Sequence, residues 1–113
     1  MSVLQPLIHI DELEAAIVES RERPVFVFKH SRTCGVSCEA LDELQAHVED
    51  ASFRATYKLI TVQSHRRLSE QAATRLGIRH ETPQAILLRD GLPVWSASHF
   101  RITKRQLDAV LKG

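Results

Sequence analysis

Residues 25–38 have the sequence VFVFKHSRTCGVSC, and this stretch decides the fold. Its first four residues are apolar, which predicts a buried strand, and Leu41, Leu44 and Val48 follow at the spacing of one helix face. The first cysteine, Cys34, therefore lies where a strand passes into a helix. At such a junction the free backbone N–H groups and the helix dipole stabilise negative charge, which favours the thiolate that attacks disulfides. The stretch predicts thiol redox chemistry.

The chain has 113 residues, and we expect one domain over residues 1–113 with a core of its own. A formal net charge of +1, without a run rich in Lys or Arg, argues against a general nucleic-acid binder. Apolar runs are too short to cross a bilayer, and the first residues lack the blocks of a signal peptide, so we expect no membrane partner. The default expectation is a cytoplasmic, reducing location, where two nearby cysteines are more often catalytic or metal-binding than a structural bridge.

The remaining patterns predict helices that alternate with strands, and a hairpin near the end. Asp90-Gly91 between two apolar runs is typical of a tight hairpin turn, and Pro93 favours an edge position for the last strand. The predicted elements are a short strand near 7–8, a helix over 11–20, a strand over 25–29, a helix to about 48, a strand over 57–63, a helix over 64–76, strands over 84–88 and 93–97, and a final helix. This order indicates an α/β fold with a mixed central sheet and helices on both faces.

Several residues predict where the helices begin and end. Asp11 with Glu14 three residues later is typical of a capping box that opens the first helix. Ser64 is a candidate cap for the third helix, and Gly77 a candidate end. Thr103, with a glutamine three residues later, predicts a second capping box at the start of the last helix.

The order of elements, with a cysteine that opens a helix and a Thr-Pro before the hairpin, resembles the thioredoxin fold over nearly the whole chain. More narrowly, the chain is similar to the YtxJ family, the monothiol bacilliredoxins of the bacillithiol redox system. The motifs that carry this resemblance are Phe28-Lys29-His30-Ser31-x-x-Cys34-x-x-Ser37, Thr82-Pro83-Gln84, Asp90-Gly91 and Val94-Trp95-x-x-Ser98-His99-Phe100-x-Ile102-Thr103. The resemblance implies that Cys34 is the nucleophile and that Pro83 is a cis-proline beside it.

Cys38 is the second candidate catalytic residue. The usual dithiol spacing, Cys-x-x-Cys, would place a second thiol at Ser37, one residue earlier. Residues four apart on a helix have Cβ atoms about 5–6 Å apart, whereas a disulfide requires about 3.5–4.5 Å. We therefore expect Cys34 to act mainly alone. A resolving role and a thiol packed under the site remain equal alternatives for Cys38.

Four residues near the predicted thiol are candidates for substrate binding. A cis bond before Pro83 would turn the backbone of Thr82 toward the thiol, where it can pair with an extended substrate. Arg32 and Lys29 suit an anionic substrate, although solvation at the surface is an equal alternative for both. His30 precedes Cys34 by four residues and is a candidate for stabilising its thiolate.

The resemblance implies a thiol-disulfide oxidoreductase that removes a low-molecular-weight thiol from protein mixed disulfides. That small thiol would be bacillithiol, and it would serve as co-substrate, with no other cofactor. The thiolate of Cys34 would attack the mixed disulfide and keep the small thiol, so that the repaired protein is released. Thiol-capped proteins and the low-molecular-weight thiol are the expected partners.

Two alternatives belong to other functional classes. Residues 34–37 are similar to the Cys-Gly-Phe-Ser motif of monothiol glutaredoxins, which carry iron–sulfur clusters, but the Gly-Gly-x-Asp segment of those proteins is missing here. A copper-binding protein of the Sco type would use Cys34, Cys38 and either His80 or His99 as ligands. No pair among the six histidines has a convincing metal-ligand spacing, so we expect no metal site.

Overall fold

The computed structural model describes residues 3–50 and 55–112. The described elements, in chain order, are β1 (Leu4–Pro6), α1 (Ile10–Glu19), β2 (Val25–His30), α2 (Gly35–Glu49), β3 (Thr56–Thr61), α3 (Arg66–Leu76), β4 (Gln84–Arg89), β5 (Leu92–Ser98), a 3-10 helix (His99–Arg101) and α4 (Lys104–Lys112). None of these helices is both long and apolar enough to cross a membrane.

The five strands form one mixed sheet in the order β1-β3-β2-β4-β5. β2 lies at the centre, parallel to β3 on one side and antiparallel to β4 on the other. Its apolar side chains alternate between two cores, because successive residues of a strand point to opposite faces. Val25 and Val27 pack with α1 and α3, whereas Phe26 and Phe28 pack with α2 and α4. The predicted mixed sheet with helices on both faces is confirmed.

The hairpin between β4 and β5 has the predicted turn. Asp90 has φ 54° and Gly91 has φ 79°, so both central residues take the left-handed backbone that two-residue hairpins favour. Ser20, at the end of α1, fixes this turn with two acceptors. Its carbonyl accepts from the N–H of Asp90 at 2.8 Å, and its hydroxyl accepts from the N–H of Gly91 at 2.9 Å.

The N-terminal elements differ from the prediction in register. The first strand is Leu4–Pro6 and not residues 7–8. Its bounds are set by its pairing with β3, and not by a pattern of apolar residues. α1 has His9 as its N-cap, and Glu12 accepts from the N–H groups of Ile8 at 2.8 Å and His9 at 2.9 Å. The predicted box of Asp11 and Glu14 is therefore wrong by two residues.

The later helix ends confirm part of the prediction. The N-cap of α3 is His65 and not Ser64, so the predicted cap is early by one residue. Gly77 ends α3 with φ 67°, the left-handed conformation that glycine adopts without a steric penalty. Thr103 accepts from the N–H of Gln106 at 3.1 Å, which is the first half of the predicted capping box.

Candidate thiol site

Cys34 is the N-cap of α2, directly after the loop that follows β2. Its backbone is extended, with φ −104° and ψ 121°, and its carbonyl accepts from the N–H of Cys38 at 3.0 Å. The side chain is half-buried. The first N–H groups of a helix have no partner within the helix and lie at the positive end of its dipole. The thiol therefore lies at the start of α2, as the sequence predicts.

The side chain of Ser37 is hydrogen-bonded to the loop between β2 and Cys34. This side chain is fully buried, and its hydroxyl oxygen accepts from the N–H of Ser31 at 2.9 Å. The same hydroxyl lies 2.8 Å from Nδ1 of His30, to which it can donate. Burial and the nearby positive charge of Arg32 both lower the pKa of His30, which favours the neutral ring as acceptor. The loop before the thiol is thus fixed by a residue of the helix after it.

Gln63, which follows β3, contacts the same loop, and it was not among the predicted site residues. Its Nε2 donates to the hydroxyls of Ser31 at 2.9 Å and Thr33 at 3.1 Å, and its Oε1 accepts from the N–H of Arg32 at 3.1 Å. Gln63 follows β3, which runs parallel to β2. Because parallel neighbours end at the same edge of a sheet, the position of Gln63 at the end of the strand predicted over 57–63 was the available signal.

Cys38 is exposed, so the alternative of a thiol packed under the site is wrong. Its Sγ lies 3.9 Å from the carbonyl oxygen of Arg32, to which the thiol can donate a weak hydrogen bond. Ser37 occupies the buried place instead, because it is one residue earlier on the helix. Cys34 and Cys38 are both free thiols. The resolving role of Cys38 stays a prediction.

The Thr82-Pro83 bond is cis, as the resemblance implies. Pro83 precedes β4, and Gln84 pairs with Lys29 near the end of β2, so Pro83 and the Cys34 loop lie at the same edge of the sheet. The carbonyl of Pro83 accepts from the N–H of His99 at 3.1 Å. His99 has φ 57°, which is uncommon for a residue with a side chain. The 3-10 helix is thereby joined to the proline loop.

Lys29 lies beneath the site, not on its surface. Its side chain is fully buried, and its Nζ donates to Nδ1 of His80 at 3.1 Å. Burial lowers the pKa of Lys29 to about 8. The other ring nitrogen of His80 lies 3.4 Å from the hydroxyl of Thr82, so this chain of contacts ends at the residue before Pro83. Lys29 and His30, both predicted to bind substrate, are buried. Lys29 contacts the exposed residue His80, and His30 contacts the buried Ser37.

Arg32 and Thr82 are the predicted binding residues that solvent can reach. Arg32 is exposed, and one nitrogen of its guanidinium group lies 3.4 Å from the hydroxyl of Ser64. Thr82 is half-buried at the edge of the proline loop. Both residues remain candidates for direct contact with a substrate.

Within residues 3–50 and 55–112, no three side chains from His, Cys, Asp and Glu come together to hold a metal ion. The ligand set of the copper alternative, Cys34 and Cys38 with His80 or His99, is therefore not assembled. His80 is engaged by Lys29 and Thr82 instead.

Known proteins resemble this chain in both sequence and structure. The family model of the monothiol bacilliredoxin BrxC matches residues 5–107. A solved structure described as an oxidoreductase with a thioredoxin fold is 32% identical, with a TM-score of 0.86 over 98% of this chain and 95% of that one. Mitochondrial thioredoxin 3 from Saccharomyces cerevisiae is 12% identical, with a TM-score of 0.76 over 96% of this chain and 93% of its own. Fasciola hepatica thioredoxin is 18% identical, with a TM-score of 0.75 over 96% and 97%. The two thioredoxins support the fold alone.

Proposed function

The chain belongs to the monothiol bacilliredoxin family and is a thioredoxin-fold thiol oxidoreductase, and from this we propose that it removes bacillithiol from mixed disulfides on protein cysteines. One observation carries the proposal. Cys34 is an accessible thiol at the start of α2, whereas the buried position of a Cys-x-x-Cys partner is filled by Ser37. A single nucleophile suits transfer of one small thiol at a time.

The first step exchanges one disulfide for another. The thiolate of Cys34 attacks the bacillithiol sulfur of the mixed disulfide, and a bond forms between these two sulfurs. The bond between bacillithiol and the client cysteine breaks at the same time. The client cysteine leaves as a thiolate, takes a proton from water, and is thereby reduced.

The second step restores the enzyme. A second bacillithiol, as its thiolate, attacks the bacillithiol sulfur of the mixed disulfide on Cys34, which forms bacillithiol disulfide and frees the Cys34 thiolate. In the net reaction the second bacillithiol is oxidised from thiol to disulfide as the client cysteine is reduced from disulfide to thiol. Cys38 could replace the second bacillithiol only by forming a disulfide with Cys34, which a separate dithiol reductant would then have to reduce.

The surrounding residues support this chemistry by binding and by orientation. The exposed guanidinium group of Arg32 suits the carboxylates of an anionic small thiol. The backbone of Thr82 is the candidate for pairing with the client chain. We assign indirect roles to the two buried residues: Lys29 orients Thr82 through His80, and His30 orients the loop through Ser37.

Intact mass spectrometry tests the proposal. The reduced protein is mixed with a cysteine peptide capped by bacillithiol, and the same peptide capped by glutathione is the comparison. We expect the enzyme to gain the mass of one bacillithiol as the free peptide appears, with slower transfer of glutathione. Free peptide without any mass gain on Cys34, or no release of bacillithiol at all, would overturn the proposal.

A further inference from the structure

A groove lies between α2 and the 3-10 helix. Its volume is about 280 Å³. The residues that define it are Val36, Glu39 and Asp42 from α2, His99 and Phe100 from the 3-10 helix, and Ile102 after it. Because its walls combine carboxylates with apolar side chains, we call it the acidic groove.

The groove carries negative charge that the described part of the chain does not neutralise. Glu39 and Asp42 are exposed, and neither has an ion pair or a hydrogen bond to its side chain in residues 3–50 or 55–112. Glu43, one position further on, is engaged, because its carboxylate accepts from the N–H of Lys104 at 2.7 Å. Two carboxylates are therefore free to meet a cation.

The same groove presents an aromatic face. Phe100 is 72% exposed, more than any other large apolar side chain in residues 3–50 and 55–112. Val36 and Ile102 line the groove with it. A lysine or arginine side chain suits such a surface, because its aliphatic stem packs on apolar atoms while its charged end meets a ring face or a carboxylate.

The position of the groove determines which half of the substrate enters it. Val36 lies two residues after Cys34, in the first turn of α2, and His99 is bonded to the carbonyl of Pro83. A chain that is joined to the sulfur under attack therefore passes close to the groove. The free carboxylates repel an anionic small thiol, and Arg32 provides a better position for that half. The part of the mixed disulfide that suits the groove is therefore the client protein.

We propose that the acidic groove binds a lysine or arginine next to the capped cysteine of the client, so that the enzyme selects clients with basic flanks. This inference rests on the proposed function. It adds a preference that neither the thiol nor the proline loop supplies. Electrostatic complementarity of this kind contributes mainly to specificity.

Matched peptides test the inference. Two octapeptides carry one cysteine capped by bacillithiol, with arginines on both sides in one and glutamates in the other. Uncharged 2-hydroxyethyl disulfide reports the reactivity of the thiol without a peptide. We expect kcat/KM to be about threefold to tenfold higher for the arginine peptide at low salt, as exposed ion pairs allow, and the ratio to fall at high salt.

Two variants remove the carboxylates or the ring. The double variant Glu39→Gln/Asp42→Asn should bring the ratio close to one, and Phe100→Ala should slow the arginine peptide only. Reaction with 2-hydroxyethyl disulfide should not change in either. The control Glu22→Gln/Glu49→Gln removes the same charge from exposed positions outside the groove and should keep the wild-type ratio.

The outcomes separate the two proposals. Equal rates for the two peptides in the wild type would overturn the proposed role of the acidic groove, and so would an unchanged ratio in Glu39→Gln/Asp42→Asn. Neither result would contradict the removal of bacillithiol. If 2-hydroxyethyl disulfide reacts and neither peptide loses its cap, both proposals are wrong.

Discussion

The hydroxyl of Ser37 and Nδ1 of His30 lie 2.8 Å apart, and the N–H of Ser31 donates to the same hydroxyl. A residue of the first turn of α2 thus supports the end of β2 and the loop between them. A thiol at this position would make weaker hydrogen bonds than the hydroxyl does. The serine therefore has a structural reason to be there, apart from any effect on the redox cycle.

Replacement of Ser37 by alanine should destabilise the fold. The change leaves the N–H of Ser31 and the ring nitrogen of His30 without their partner, and each unpaired polar group costs about 1–3 kcal/mol. We expect the free energy of unfolding, measured by urea denaturation, to fall by at least about 1 kcal/mol. Ser96→Ala, at an exposed position of β5, is the control. Equal stability of the two variants would contradict this role for Ser37.

The two cysteines should differ sharply in function. At neutral pH iodoacetamide should modify Cys34 before Cys38, because Cys34 is the residue at the N-terminus of α2. Cys38→Ser should keep most of the bacillithiol-removing activity when the small thiol is supplied, whereas Cys34→Ser should have none. Loss of two mass units on mild oxidation, with a stalled mixed disulfide in Cys38→Ser, would establish a dithiol cycle instead.

Lys29 should make stability depend on pH in the alkaline range. Burial lowers its pKa from 10.5 to about 8, so between these values the unfolded chain binds the proton that the folded chain has lost. Stability rises with pH wherever the unfolded state binds more protons. The free energy of unfolding of the wild type should therefore increase relative to that of Lys29→Met as the pH rises from 8 to 10.5. This relative increase is at most about 1.4 kcal/mol per pH unit. Parallel curves of unfolding free energy against pH would count against a buried ammonium group.

Two glycines should respond in opposite ways to alanine. A Cβ at Gly35 meets no atom within 4 Å outside its neighbours and its own helix, so Gly35→Ala should stabilise the protein by about 0.4–1 kcal/mol through the entropy of the unfolded chain. Gly77 has φ 67°, where a side chain is strained, so Gly77→Ala should cost about 1–2 kcal/mol. Melting temperatures of both variants check the signs. A loss at Gly35 would mean that its backbone tolerates no side chain.

Local signals predicted much of the fold. Asp90-Gly91 and Gly77 mark positive φ angles, which few other residues adopt, so the turn and the end of α3 could be predicted from single positions. The helix starts were less certain, because acidic residues near Asp11 allow two registers of the same capping pattern. The first strand was misplaced because its pairing with β3, and not its own sequence, defines it.

The residues of the candidate site also differ in how well the sequence predicts them. Cys34 could be predicted because the strand before it and the helix after it are adjacent in sequence. Gln63 had only an indirect signal, because the order of the strands decides which loop it contacts. The position of Phe100 beside α2 could not be predicted, since the two are distant in sequence. The burial of Lys29 was hidden for a different reason. β2 is covered on both faces, so its residues show no alternation that would separate inside from outside.

The hydrogen bonds of Gln63 to Ser31, Arg32 and Thr33 fix the conformation of the loop before the thiol. The entropy of ordering that loop is lost when the chain folds, not when a disulfide arrives, so the attack should start from a preorganised backbone. This preorganisation should make the activation entropy of the disulfide exchange less unfavourable, and it does not act on the reactivity of the sulfur itself. We therefore expect the rate of a reaction at the start of α2 to depend in part on the amide of Gln63, which follows β3.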